Sequence, residues 1–466
     1  MERCGAHSRF IIPKIAFIFK ILYDIFVCKL CVSCVYVVFC PVQGYMCDFL
    51  CFFFTVLSYT MIRYVDYVKN MKVCVISNIY PPFHRGGAEQ VVVKTVEGLG
   101  RAGHSVIVMT STPEKNGIEN VGGITIYRKK PWNVFFYTDA HRYPVFLRAV
   151  WHILNMWNIQ MVFWVWRTIK KEQIDIVHTH NLMGVSFLLP VLLRWLNVVH
   201  VHTVHDVQLV EPSGMVLKQY EQSWRYTGFP TKIYTSIMRM LFGSPDAVIS
   251  PSEFLLRFYT SRGFFPQSKK VVIRNPMTFP LRAIQKEHVH SPMRFVYAGQ
   301  IEYHKGVEML IDAFIGLDAS IAQQSELHIV GGGTLHAVCK KKTEGHPHIH
   351  IHKRMERGAL SSFLDTMDMA VVPSLCYENS PTIIFESFSS GLPVLASNIE
   401  GVVELIKEEE NGLMFEAGNI PSLQEKITWC VQHPDSILLM SHATKDTIIH
   451  LTAEEYIPAL ETLYTT

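Results

Sequence analysis

Apolar and polar positions divide the 466-residue chain into stretches of different character. Residues 15–62 are almost unbroken Ile, Val, Leu, Phe, Cys and Tyr, interrupted by Lys20, Asp24, Lys29, Pro41 and Asp48. From Met71 onward, short continuous apolar runs alternate with longer segments of helical period. That is the pattern of parallel strands buried on both faces by helices. Strands are expected at 73–77, 106–109, 124–127, 174–177, from 198 to near His205 and Asp206, and at 246–250, with VVIRNP closing the domain near Pro276. A second series follows at 294–298, 327–330, 348–352, 369–373 and 411–415. Helices are expected between them, including 251–262, one from 358, one beginning at Ser380 and Pro381, and one within SNIEGVVELI. A strand–helix alternation repeated in two series predicts an α/β chain of two Rossmann-like domains facing each other across a crevice, over 71–276 and 277–446. Residues 277–292, polar with two prolines, read as the linker. Residues 447–466 read as an amphipathic C-terminal helix.

The first seventy residues fit two short membrane passes, one pass with an interfacial segment, or a translated upstream region preceding a start at Met71. A cleaved signal peptide fits poorly, because the apolar region is too long and lacks a small-residue cleavage site. Residues 132–167 are rich in Trp, Phe and Tyr and predict apolar helices. These either pack on the sheet or under the N-terminal segment, or offer a membrane-surface or lipid-acceptor groove. Arg142, Arg148, Arg167, Lys170 and Lys171 flank them and favour the membrane reading.

Composition narrows the function classes. A formal net charge of +3 on a chain of this length, with no basic run interleaved with aromatics, gives no support for a nucleic-acid partner. Seven of the eleven cysteines precede residue 52. Cys28, Cys31 and Cys34 lie in an apolar run without histidine, which argues against zinc. Cys74, Cys339, Cys376 and Cys430 are scattered and read as free thiols of a reducing compartment.

The chemistry concentrates at loops following the strands. In PSLCYENSPTIIFESFSSGLPVLAS a strand runs into a loop with Glu378 and then into a helix, with Ser380 placed as its cap and Pro381 in its first turn. Glu386 follows on that helix. Two carboxylates flanking unsatisfied backbone N–H groups suit sugar hydroxyls and a phosphate. Gly86 and Gly87 sit where the first loop meets its helix and let backbone approach a ligand. His180, Asn181 and His205 fall at strand ends open to a crevice, whereas His200 and His202 are expected to face neighbouring elements. Lys305 precedes a helix and can reach phosphate. Gly331, in a Gly-Gly-Gly turn, can line a nucleotide. The alternating His348, His350 and His352 share one strand face, with a metal as one reading. Neither G-x-G-x-x-G nor a P-loop is present, so neither a nicotinamide fold signature nor ATP hydrolysis is supported.

In their order and spacing these motifs resemble the retaining glycosyltransferases of family 4, of GT-B architecture. The segments are ENSPTIIFE with acids eight positions apart, PPFHRGGAEQ, IDIVHTHN, VHTVHD, YHKG, IVGGG, EGVVEL and NGLMFEAGN. The resemblance covers nearly everything from Met71 onward. It implies transfer of a sugar from a nucleoside-diphosphate sugar to a glycan or lipid-linked acceptor in cell-surface polysaccharide or glycolipid synthesis. The expected location is cytoplasmic or the cytoplasmic face of a membrane. In the implied site Glu386 holds ribose hydroxyls, Glu378 holds the donor sugar, and the amides around Asn379, Ser380, Pro381 and Thr382 face sugar and pyrophosphate. Lys305 neutralises the diphosphate, Gly87 lies near phosphate and acceptor, His205 contacts the sugar, and Glu404 packs on the nucleotide side. The last helix is implied to return to the first domain.

Three departures stand out. Gln300 occupies a position where the family usually has Arg, which weakens the expected clamp on the diphosphate unless another base such as Arg85 substitutes. Glu400 stands where Gly is common. The segment between Gly333 and Ile351 is short. Gln300 also motivates an alternative, a non-catalytic glycosyltransferase-like binding or scaffold protein. No D-x-D sequence occurs, so neither a cofactor nor an essential metal is expected for the transfer, and the mechanism implied is same-face attack with the leaving phosphate accepting the proton.

Overall fold

The computed structural model describes residues 70–83, 86–279, 282 and 284–465. The readings made for the N-terminal segment and its cysteines, and for Arg85, therefore fall outside the described residues.

Two sheets organise the chain. The first contains β1 (Lys72–Ser77), β2 (Ser105–Ser111), β3 (Gly117–Val121), β4 (Ile124–Lys129), β5 (Ile176–Thr179), β6 (Val199–Thr203), β7 (Ala247–Ser250) and β8 (Lys269–Val272). Its spatial order is β3-β4-β2-β1-β5-β6-β7-β8, parallel except for the β3–β4 hairpin. The second contains β9 (Met293–Gln300), β10 (Ser325–Gly332), β11 (Ile349–His352), β12 (Met369–Val372), β13 (Val394–Ser397) and β14 (Gly412–Phe415). It runs β11-β10-β9-β12-β13-β14 and is parallel throughout. In both sheets the winding reverses once, between β1 and β5 and between β9 and β12. Open α/β sheets bind ligands at such reversals, beyond the carboxyl ends of the strands, because neighbouring loops there diverge to opposite faces.

The strands are apolar on both faces because helices cover both. In the second sheet Phe295, Leu327, Ile329 and Leu395 pack on one side with the helices Val307–Ile315 and Ile420–Gln432. Val296, Val330, Val394 and Ala396 pack on the other with the helix Thr382–Ser389. The last helix, Ala453–Tyr464, touches the first lobe: Tyr456 and Thr95 hydroxyls lie 3.2 Å apart. A methyl at Gly98 would meet Ile457 at 2.4 Å.

Three expectations change. SNIEGVVELI forms no helix; residues 401–405 are turn, because Gly401 sits at φ +83° with its α-carbon so close to the Glu378 carbonyl that a Cβ would lie 2.0 Å away. The hairpin strand β3 was not foreseen, since its residues are mostly exposed and carry no apolar run. The helix after Ser380 begins one residue later than expected, at Thr382, with Pro381 rather than Ser380 at the cap position.

Candidate active site

The loops at the two winding reversals carry most of the singled-out residues. From β9, Lys305 lies in a short 3-10 turn closed by Gly306, and from β12, Glu378 lies four residues past Ser374. Lys305 Nζ donates to Glu378 Oε1 at 2.6 Å, and Ser374 Oγ donates to the same oxygen at 2.7 Å. Burial opposes charge on Lys305, yet the adjacent Glu378 carboxylate holds its pKa above the ordinary lysine value. Gly306 is required here by space as well as by φ of +71°, since a Cβ would sit 1.9 Å from the Pro373 carbonyl oxygen.

From the first lobe, His205 follows β6. Its Nε2 lies 2.8 Å from Nδ1 of His180, which follows β5, and the rings stack with centroids 5.1 Å apart. His180 is buried, and its Nε2 has no hydrogen-bond partner among the described residues. Burial lowers the His205 pKa to about 4 and that of His180 well below the ordinary value, so both are neutral near pH 7. His200 and His202 face neighbours, as expected, bonding Thr179 Oγ1 at 2.7 and 2.8 Å. Asn181 is half-buried at the end of β5.

The lobes meet at these loops. Asn379 Nδ2 donates to the His205 carbonyl at 3.1 Å, and its Oδ1 accepts from Ser252. Gly87 lies so near Thr382 that an added Cβ would stand 2.9 Å from its side chain. Gly86 N–H donates to Glu89 Oε2 at 2.7 Å, an arrangement that fixes the helix start. His205, Asp206, Lys305, Tyr377, Glu378 and Asn379 line one cavity of about 130 Å³. Pockets for drug-sized ligands run to about 300–1,000 Å³, so admitting a whole nucleoside-diphosphate sugar requires the lobes to part. Burial raises Asp206 to about 6.

Ser380 does not cap the following helix. Pro381 is its N-cap, no side chain caps it, and the buried Ser380 hydroxyl has no partner among the described residues. Among the described residues the Ile384 N–H already bonds the Pro381 carbonyl at 3.1 Å, and the N–H groups of the first turn before it are left to an anion. Glu386 is set apart from the cavity. It accepts from Thr278 Oγ1 at 2.8 Å and from Arg357 at 3.3 Å, and burial raises its pKa. At the ends of β9 and β10 Gly331 pairs with Gly299 and Gln300 with Gly332, and neither Gln300 nor Gly331 lines the small cavity. The Gln300 carbonyl accepts from Tyr297 Oη at 2.6 Å. Gly331 is crowded by the Gly299 carbonyl, which leaves 1.9 Å for a Cβ.

Several partnerships gave no sequence signal. Glu404, read as nucleotide-side packing, reaches across to the first lobe. It accepts from the N–H groups of Glu253 and Phe254 at 3.0 and 2.5 Å and pairs with Arg274 at 3.0 Å. A carboxylate at the N-terminus of the helix Glu253–Thr260 satisfies otherwise orphaned donors. Glu400 pairs with Lys218, which accounts for an acid where glycine was expected. Arg357, opposite Glu386, was also missed.

A larger cavity of about 890 Å³ lies elsewhere, beside the helices Val145–Met156 and Ile159–Glu172. It is lined by Trp132, Leu154, Trp157, Phe163 and Trp164 with Arg167 and Lys171, and no carboxylate or histidine lines it. Size therefore does not mark the chemical site; convergence of polar groups does.

Comparison with known proteins places this arrangement. The chain matches the family description "Glycosyltransferase Family 4" over residues 85–278 and "Glycosyl transferases group 1" over residues 282–446. An uncharacterized glycosyltransferase, MJ1607, of Methanocaldococcus jannaschii is 24% identical over 377 residues, covering 78% of this chain and 88% of that protein. The sucrose-phosphate synthase of Thermosynechococcus elongatus shares the fold at TM-score 0.65 and 17% identity, over 84% of this chain and 98% of that one. Anabaena Alr3699/HepE, solved in complex with UDP, does so at TM-score 0.59 and 14% identity, over 85% and 100%. The fold is that of the GT-B glycosyltransferases, enzymes that move a sugar from a nucleoside-diphosphate sugar to an acceptor. Within them, the chain belongs to the glycosyltransferases with a family 4 first lobe and a group 1 second lobe.

Proposed function

We propose that the chain transfers a sugar with retention from a nucleoside-diphosphate sugar to a glycan or lipid-linked acceptor in cell-surface polysaccharide or glycolipid synthesis, working at the cytoplasmic face of a membrane. The observation carrying this reading is the convergence of Lys305, Glu378, Asn379 and His205 on one cavity beside an uncapped helix N-terminus. In this reading the diphosphate lies against the amides from Asn379 to Thr382, with Gly87 close enough to admit backbone contact. Lys305 turns from Glu378 toward the departing phosphate, stabilising charge as it develops. Glu378, released from that pair, takes the sugar hydroxyls. His205 faces the sugar from the first lobe, its tautomer set by His180, and Asn181 and Gly86 lie toward the acceptor. Glu386, held by Arg357 and Thr278, takes ribose hydroxyls, with Gln300 and Gly331 beside the nucleotide. Closure of the lobes excludes water that would hydrolyse the donor.

Exposed apolar residues on the first lobe support a membrane-facing acceptor side. Val145, Phe146, Ile153, Ile159 and Phe163 are all more than half exposed, with Arg148, Arg167, Lys170 and Lys171 on the same helices. No helix among the described residues is long and apolar enough to cross a membrane.

The decisive experiment screens a panel of nucleoside-diphosphate sugars with membrane lipid extract for release of nucleoside diphosphate. One donor is expected to turn over, and Glu378→Gln to lower its turnover by at least about a hundredfold, the scale of losing one transition-state contact. No turnover with any donor, or undiminished turnover in the variant, overturns the assignment.

A further inference from the structure

We propose that Glu326, His328 and His350 form a divalent-metal site of zinc type at the outer edge of the second sheet, separate from the transfer site. Among the described residues they are the one group of three whose ligand atoms all lie within 4.8 Å of one another. The placement follows from register. β10 and β11 are parallel neighbours with His328 directly beside His350, and Glu326, two residues before His328, shares its face. β11 is the last strand of the sheet, so the group is reachable from solvent, and its three members are half-buried.

The hydrogen bonding singles out one nitrogen. His328 Nδ1 lies 3.2 Å from His352 Nε2, so either tautomer of His328 spends Nδ1 on that contact. Its Nε2 is shielded from solvent, makes no hydrogen bond of normal geometry among the described residues, and is ion-paired at 3.5 Å with Glu326 Oε2. A buried imidazole nitrogen without a donor or acceptor is costly, and one aimed at a carboxylate is the arrangement a cation relieves. With the proton on Nδ1 donated to His352, Nε2 presents its lone pair. An outer hydrogen bond that fixes the tautomer of a ligating histidine is the usual support of such sites. Phe363 holds the rings of His328 and His352 at 5.8 and 5.0 Å.

The donor set decides the ion. Two imidazoles and one carboxylate suit zinc and its late first-row neighbours, whereas magnesium and calcium require oxygen ligands. Ligands about 2.1 Å from a tetrahedral zinc stand about 3.4 Å apart, so the three groups close on the ion by small side-chain rotations. Arg294, 3.7 Å from Glu326 Oε2, is the competing cation and must give up that carboxylate. Water completes the coordination. The ion would clamp β10 to β11, whose downstream residues are the glycines 331–333 and Arg357.

The test uses the full chain, stripped with chelator, dialysed against zinc chloride and measured for bound metal by plasma mass spectrometry and for thermal midpoint. One zinc per chain and a raised midpoint are expected. Both should be lost in His350→Gln and in Glu326→Gln, and kept in His346→Gln, which alters a nearby histidine outside the group. Cobalt in place of zinc should give the intense visible bands of a four- or five-coordinate nitrogen–oxygen site. No retained zinc, equal retention in the first two variants, or a six-coordinate aqueous cobalt spectrum overturns the proposal. Donor turnover is a separate measurement, so loss of the metal site and failure of the transferase reading are distinguishable.

Discussion

Acid should unfold the first lobe unusually early. His178, His180, His200 and His202 are buried on β5 and β6 or just beyond, and His205 is half-buried past the end of β6; the hydrogen bonds of these rings run to hydroxyls or to each other. Burial first, and mutual repulsion for the inner four, lowers His178 and His202 to about 3 and His205 to about 4, with His180 and His200 well below the ordinary value. The folded state therefore binds no proton at these rings until the pH falls to about 4. The unfolded chain binds one per ring below about 6.5. Stability is complete above pH 6.5 and is lost as the pH falls from there toward the folded values. At pH 5.5 an unfolded histidine is about 90% protonated, a loss of about 1.4 kcal/mol per ring and about 7 kcal/mol for five. Asp206, raised to about 6 by burial, acts in the opposite sense. Its protonation at pH 5.5 returns about 1 kcal/mol. The net loss between pH 7.5 and 5.5 is about 6 kcal/mol, comparable to the whole stability of a typical domain. Seven of the eight tryptophans precede residue 225, so urea unfolding followed by tryptophan fluorescence reports the first lobe. His200→Gln should remove about 1.4 kcal/mol from the pH dependence whatever its effect at pH 7.5. A total change under about 2 kcal/mol would refute the reasoning, because the native state would then be binding protons at these rings.

Three further outcomes are expected. Gly87→Ala should cut turnover at least about tenfold while leaving the lobe's stability unchanged or up to about 1 kcal/mol higher, since alanine favours the helix start but holds Thr382 away; adding Thr382→Ala should restore part of the closure, read as a decrease in radius of gyration by solution scattering. Glu404→Ala removes a carboxylate bridging the lobes, at a cost of about 3 kcal/mol, which shifts a closed–open balance on the order of a hundredfold and should raise the radius of gyration. Phe146→Glu with Ile153→Glu should lower co-sedimentation with anionic lipid vesicles and leave hydrolysis of a soluble donor unchanged; unaltered co-sedimentation would dismiss the membrane-facing side.

The strands were legible because burial on both faces leaves continuous apolar runs that no other element explains. The loops after them were legible as chemistry because acids, histidines and a lysine there interrupt otherwise apolar surroundings. What could not be read depends on distances between lobes. The motif around Glu404 marked it out but nothing local named its partners, which are backbone donors about 150 residues away. The supposed helix around it failed because Gly401 must pass beneath the Glu378 carbonyl, a clash invisible in periodicity. Ser380 satisfied every rule for a cap, but Pro381 takes the cap position and leaves that hydroxyl unbonded. The His180–His205 pair was half-seen: both were placed at strand ends, while their contact follows from the β5–β6 register.

The contact between Tyr456 and Thr95 joins residues separated by most of the chain. During synthesis the helix Gly87–Arg101 can pack on its own sheet at once, but its outer seam lacks this partner until residues 453–457 have left the ribosome. A truncated gene ending after β8 would encode a lobe with a bare seam at Gly98.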